Sequence, residues 1–190
     1  MKINLRADNT AEITGYVNAV GRESRLLGDF YEVVEPKVFE RALKNTNCVG
    51  LMFNHVRLLG STNDCLELKE DNIGLYARAI VNDPEVIAKA QNDKLQGWSF
   101  GFYINDQEVT TRADGTELHT LKDIDLVEVS ILDCTPAYIA TSIEMRDGEN
   151  VQTKTKNVRV FEDTVEKVID VPSDLSDLEQ KKRYFNFILL

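Results

Sequence analysis

A serine can attack a carbonyl only when a neighbouring base takes its proton, and histidine is the usual base. The segment Gly97-Trp98-Ser99-Phe100-Gly101 fits the G-x-S-x-G pattern of a nucleophile elbow. Small residues are common, so the match says little without an activating partner. The chain offers two histidines. His55 ends the apolar run Val49-Gly50-Leu51-Met52-Phe53, just after Asn54, which places an imidazole at the end of a buried strand. His119 lies between Leu118 and Thr120 in a polar stretch and reads as a solvated surface histidine. A carboxylate, Glu128, stands within the apolar run from Ile124 to Leu132. A buried carboxylate needs a partner, because an unpaired charge there is costly. A nucleophile and candidate bases for acyl transfer are thus available.

The order of these residues restricts the fold that could carry them. His55 precedes Ser99 by 44 positions, whereas α/β-hydrolases place the histidine last in the chain. His119 follows Ser99 by only 20 positions, too few for the strand, acid and helix that such a fold inserts.

The elements around these residues are legible from periodicity. An extended backbone from Leu95 to Ile104 sets Trp98, Phe100 and Phe102 on one face and Gly97, Ser99, Gly101 and Tyr103 on the other. The aromatic face anchors the strand, and the glycines clear bulk from around Ser99. Alternation from Ile124 to Leu132 puts Leu126, Glu128, Ser130 and Leu132 on one face and Asp125, Val127, Val129 and Ile131 on the other. Ala11 to Val20 reads as a strand, with Gly15 marking a bulge or a close backbone approach. Leu66-Glu67-Leu68 and Leu75 to Ala79 flank the turn residues 70–74 and suggest a hairpin, and Asp114-Gly115 marks a second. Pro36 suits the first position of a helix whose apolar face is Val38, Phe39, Ala42 and Leu43. Asn82-Asp83-Pro84-Glu85 starts another helix, running to about Asp93.

The full chain has 190 residues, a formal charge of −10 and a pI near 4.7. Such a chain repels itself and is a poor general ligand for nucleic acid. No apolar run is long enough to cross a bilayer, and Met1 to Asp8 lacks the apolar core of a signal peptide, so a cytoplasmic setting is expected. Three widely spaced cysteines, Cys48, Cys65 and Cys134, form no CxxC pair and argue against a disulfide framework or a zinc knuckle. A thiol hydrolase built on Cys48 or Cys65 is a rival reading, set against the usual role of free cysteine as a small buried hydrophobe. Residues 1–148 read as a catalytic domain. Residues 149–190 read as a polar linker followed by helical patterns and the apolar end Tyr184 to Leu190.

Six pieces occur in order: "GYVNAVG", "EPKVFERAL", "LMFNH", "EDNIGLYARA", "GWSFGF" and "LVEVSILDCTPAY". Together, over roughly residues 11–145, they resemble the prohead proteases of tailed bacteriophages, which are distantly related to the herpesvirus assemblins. The resemblance implies a β-rich α+β fold, a compact and mostly antiparallel β-barrel with peripheral helices. It implies a serine endopeptidase that cleaves scaffold, or the scaffold-like segment of the major capsid protein, and itself, during prohead maturation. On it, Ser99 is the nucleophile and His55 the base. Glu128 holds the family-like third position. Asp125, which a regular strand would face the other way, and His119, as in a Ser-His-His arrangement, remain alternatives. No cofactor or metal is implied. The partners implied are capsid protein and scaffold, with self-association, no nucleic acid and no membrane, inside the assembling prohead in the bacterial cytoplasm. One departure stands out: many family members carry an acidic residue directly after the histidine, where this chain has Val56. A non-enzymatic assembly protein of the same fold is the alternative function.

Overall fold

The computed structural model of the protein describes residues 1–134. The expected linker and helical tail lie outside the described residues. Nine strands and two helices follow in the order β1 (Lys2–Leu5), β2 (Ala11–Ala19), β3 (Phe30–Val34), α1 (Val38–Asn45), β4 (Gly50–Phe53), β5 (Arg57–Ser61), β6 (Leu66–Glu70), β7 (Gly74–Val81), α2 (Pro84–Gln91), β8 (Gly97–Thr111) and β9 (Glu117–Leu132).

The strands form two sheets, and no closed barrel is found among the described residues. One sheet has the order β1-β2-β7-β6 and is antiparallel throughout. The other is built on the 16-residue strand β9. Along one edge β9 pairs with β8 over nearly its whole length, antiparallel. Its other edge is shared end to end by β3 and β4, both parallel to it, and β5 then pairs with β4. The pairing is mostly antiparallel, as expected, with these two parallel pairs as exceptions. They arise because β3 and β4 are far from β9 in sequence, and parallel partners need long connections rather than hairpins.

The core lies between the sheets and under the helices. Trp98, Phe100 and Phe102 of β8 are buried there with Val129 and Ile131 of β9, Leu51 and Phe53 of β4, and Ile13 and Val17 of β2. The helix α1 closes the core with Val38, Phe39 and Ala42, and the Phe39 and Phe100 rings meet edge to face at 5.2 Å. Pro36 precedes this helix instead of opening it. Its N-terminal N–H groups, those of Lys37 and Glu40, donate at 2.6 Å to the Glu70 carboxylate at the end of β6, so the cap comes from another element. The second helix starts as expected, with Asp83 accepting from the Glu85 and Val86 N–H groups. Gly15 marks a close approach: a Cβ there would lie 3.1 Å from Met1 Cα and 3.2 Å from Trp98 Nε1. The bulge in this strand falls nearby, at Val17.

A second bulge corrects the expected faces of β9. Gly101 pairs with Glu128, but the next β8 residue, Phe102, pairs with Leu126, so Val127 is an extra residue. Leu126 therefore joins Ile124 and Val129 in the core and does not share a face with Glu128. The same shift moves Asp125, paired with Tyr103, onto the outer face.

Candidate active site

Cross-strand partners point to the same face of a sheet, so the register of β8, β9 and β4 assembles the site. Ser99 lies opposite Ser130, and Ser130 opposite Met52. Gly101 lies opposite Glu128, and Glu128 opposite Gly50. The opposite face of β8 holds Trp98 and Phe100 in the core, so Ser99 is half-buried on a rigidly anchored strand. Glu128 sits in a slot between two glycines. A Cβ at Gly101 would come within 2.5 Å of Glu128 Oε1, and one at Gly50 within 3.5 Å of Glu128 Cβ. The glycine after the serine thus clears room for the carboxylate, a role that the pattern of residues around Ser99 alone does not reveal.

His55 reaches this face from the turn that joins β4 to β5. Its Nδ1 is 2.5 Å from Glu128 Oε1, and both side chains are nearly buried. The other carboxylate oxygen, Oε2, is buried with no hydrogen-bond partner among the described residues. The charge of Glu128 therefore depends on His55 for its polar compensation.

The turn itself is unusual. Asn54 and His55 both have positive φ, 51° and 58°, and Val56 N–H donates to Phe53 O at 3.1 Å, as in a type I′ turn. Left-handed backbone is unfavourable for residues with a Cβ, least so for asparagine, aspartate and histidine. The end of β9 holds the turn in place. His55 N–H donates to Ser130 Oγ at 2.8 Å, and Asn54 N–H donates to Ile131 O at 3.0 Å. The Asn54 side chain and Asp133 exchange two hydrogen bonds: Asn54 Nδ2 donates to Asp133 Oδ1 at 2.8 Å, and Asp133 N–H donates to Asn54 Oδ1 at 3.1 Å. From α2, Lys89 Nζ lies 2.8 Å from Asp133 Oδ2. The Lys89 ammonium holds the Asp133 carboxyl below the usual carboxylate range, against a smaller opposing effect of burial and with further help from Asn54. Asn54, Ser130 and Asp133 are residues that reading the sequence assigns no role. The one hint is that Ser130 alternates with Glu128 on the same strand.

The two alternatives for the third residue are placed elsewhere. Asp125 is exposed and accepts from Asn105 Nδ2 at 2.8 Å. Its side is the outer one, contrary to the regular-strand expectation, but it stands three residues from Glu128 along β9, about 10 Å away in extended chain. His119 is nine residues from Glu128, about 30 Å along the strand. It stacks on Phe30 with ring centroids 4.4 Å apart and lies 2.9 Å from Glu117 Oε2. The thiol of Cys65 is pushed up by burial and by Asp64 beside it, which disfavours the nucleophilic thiolate. Among the described residues no cluster of histidine, cysteine and acid side chains could hold a metal ion.

A histidine whose Nδ1 is held by a carboxylate has Nε2 as its proton-accepting atom, the arrangement that serine hydrolysis requires. Comparison with known families agrees with this chemistry. The model of the caudovirus prohead serine proteases matches residues 1–156. The chain belongs to that family. No match was found among curated proteins or among solved structures. Prohead serine protease membership places hydrolase chemistry and capsid maturation on this chain, and the Glu128 slot and the His55 turn lie within the matched residues. Among the described residues of this prohead protease no helix is long and apolar enough to cross a membrane.

Proposed function

We propose that the protein is a serine endopeptidase that cleaves scaffold, or the scaffold-like segment of the major capsid protein, and itself, within the assembling prohead in the bacterial host. Ser99 Oγ attacks the scissile carbonyl carbon while His55 Nε2 takes the hydroxyl proton. Glu128 holds His55 Nδ1–H and stabilises the imidazolium. The tetrahedral intermediate collapses, the C–N bond breaks, and His55 returns the proton to the departing amine. Water, deprotonated by His55, then hydrolyses the acyl-enzyme and restores Ser99. The observation that carries this reading is the 2.5 Å contact of His55 Nδ1 with Glu128 on the sheet face that Ser99 shares. A glycine-flanked slot for a buried carboxylate serves no packing purpose, which weighs against an inert assembly protein of the same fold.

The test is co-expression of the full chain with the neighbouring capsid genes, followed by mass spectrometry of the cleaved ends. Ser99→Ala is expected to remove cleavage, a loss on the order of 10⁶-fold by analogy with other serine nucleophiles, with the fold unchanged by circular dichroism. Normal capsid-protein cleavage by a well-folded Ser99→Ala chain would end the proposal.

A further inference from the structure

Six large apolar side chains are exposed among the described residues, and the two most exposed close the histidine turn and follow it: Val56 at 79% and Leu58 at 68%, against 50% or less for the others. The direction of Leu58 is fixed by its neighbours. Arg57, between them, turns to the α2 side, where its guanidinium meets Asp83 at 3.1 Å and Glu85 at 2.8 Å and lies over the Phe53 ring. Side chains alternate along a strand, so Leu58 points to the opposite, catalytic face. The register agrees: Phe53 pairs with Arg57, and Met52 pairs with Leu58. Leu58 Cδ1 also lies 3.7 Å from where a Gly50 Cβ would stand, on the side of Glu128.

One row of cross-strand neighbours therefore runs over four strands, Ser99, Ser130, Met52 and Leu58. Three strand spacings separate its ends, about 14 Å. An extended peptide rises ~3.3 Å per residue, so the row spans about four residues of bound chain. Its outer strand, β5, pairs as a strand with β4 alone among the described residues. The imidazole lies between the two ends of the row: its ring meets Glu128 on β9, and its backbone sits in the β4–β5 turn. His55 must give its proton to the departing amine, so the departing segment passes over the imidazole toward β5.

We propose that Val56 and Leu58 form an apolar subsite for the departing segment of a polypeptide substrate, taking an aliphatic or aromatic side chain about three to five residues C-terminal to the scissile bond. This rests on the assignment of Ser99 and His55 above. The subsite is continuous with the catalytic row, which makes the substrate chain its occupant.

The experiment profiles cleavage of an end-blocked peptide mixture, made by digesting host-cell protein, with the cleaved ends read by mass spectrometry. It uses the full chain, its Val56→Glu and Leu58→Glu variants, and Val109→Glu, an exposed site elsewhere on β8, as control. The unaltered chain is expected to enrich Leu, Ile, Val, Met or Phe at one position in that window. Leu58→Glu should lose the enrichment at least fivefold and gain Lys and Arg at the same position, while Val109→Glu keeps the original profile. A disturbance of Glu128 alone would slow all peptides alike and leave the profile unmoved. A flat profile in the window, or one unchanged by Leu58→Glu and Val56→Glu, overturns the subsite. If Leu58→Glu instead converts a dimer to a monomer in sedimentation with its preference unchanged, the patch seats a second copy and the proposal is equally overturned. Labelling of Ser99 by a fluorophosphonate separates the two readings: labelling with an unmoved profile rejects the subsite alone, and absence of labelling rejects the catalytic assignment beneath it.

Discussion

Gly101→Ala is the smallest change that tests how the site is held. Gly101 carries no left-handed backbone, so alanine meets no conformational barrier and should gain a few tenths of a kcal/mol from a less flexible unfolded chain. The methyl group, however, would lie 2.5 Å from Glu128 Oε1, 3.1 Å from its Cγ and 3.2 Å from its Cδ. Ordinary contact begins at 3.4 Å, so the carboxylate oxygen must retreat by about 0.9 Å. On the other side a Cβ added at Gly50 would stand in ordinary contact, 3.5 Å from Glu128 Cβ, so the crowding comes from the Gly101 side alone. A displacement of that size takes Oε1 out of its 2.5 Å contact geometry with His55 Nδ1. Misplacement of a catalytic group by ~1 Å costs on the order of 10² in rate. The expected outcome is a kcat lowered by about 10²-fold on capsid-derived peptides, a KM within about twofold, and a melting temperature within a few degrees of the unaltered chain. The mechanism adds a further requirement. If the methyl acts by displacing Glu128, then Gly101→Ala should cost little more once Glu128→Gln has removed the charge. Wild-type kcat in Gly101→Ala, or a full second loss in the double variant, would refute the reasoning.

Three further outcomes follow from the same geometry. Glu128→Gln should lower the rate by about 10²–10⁴-fold, by analogy with the acid of other triads, while His119→Ala leaves it nearly unchanged; a crippled His119→Ala beside an active Glu128→Gln would move the third role to His119. Ser130→Ala leaves the His55 N–H without its acceptor in a buried place and should cost about 1–3 kcal/mol in urea unfolding, with Ser130→Thr recovering part of it. The Asp133 carboxyl is held below its ordinary value of 3.8 by Lys89 and Asn54 in the fold, so its contribution is complete above that value and is lost as pH falls through the lowered folded value; acid unfolding followed by tryptophan fluorescence should show a shallower loss of stability below about pH 4 in Asp133→Asn than in the unaltered chain.

What local sequence determines is the direction of side chains over short stretches and the starts of helices. The faces of the strand around Ser99 were legible because Trp98, Phe100 and Phe102 alternate without interruption. The start of α2 was legible because Asp83 and Pro84 act on backbone within one turn. The left-handed His55 turn, the Val127 bulge and the cap that Glu70 gives to α1 were not, because each is fixed by a strand distant in sequence. The bulge is the clearest case. Strict alternation assigns Leu126 to the Glu128 face and Asp125 to the core, and one extra residue reverses both. The short strands β1, β3 and β5 carry too few residues for a period to emerge, and they are strands because β2, β9 and β4 offer them hydrogen-bonding edges. Ser99 and His55 could be named as candidates from residue type and order, with Glu128, Asp125 and His119 as candidates for the third place. That Glu128 rather than His119 or Asp125 meets His55 was decided by parallel pairing of β4 with β9, which sets Gly50 against Glu128 and leaves the His55 turn beside Ser130. Register is a long-range property: it depends on the summed burial and hydrogen bonding of whole strands, and no window of the sequence contains both partners.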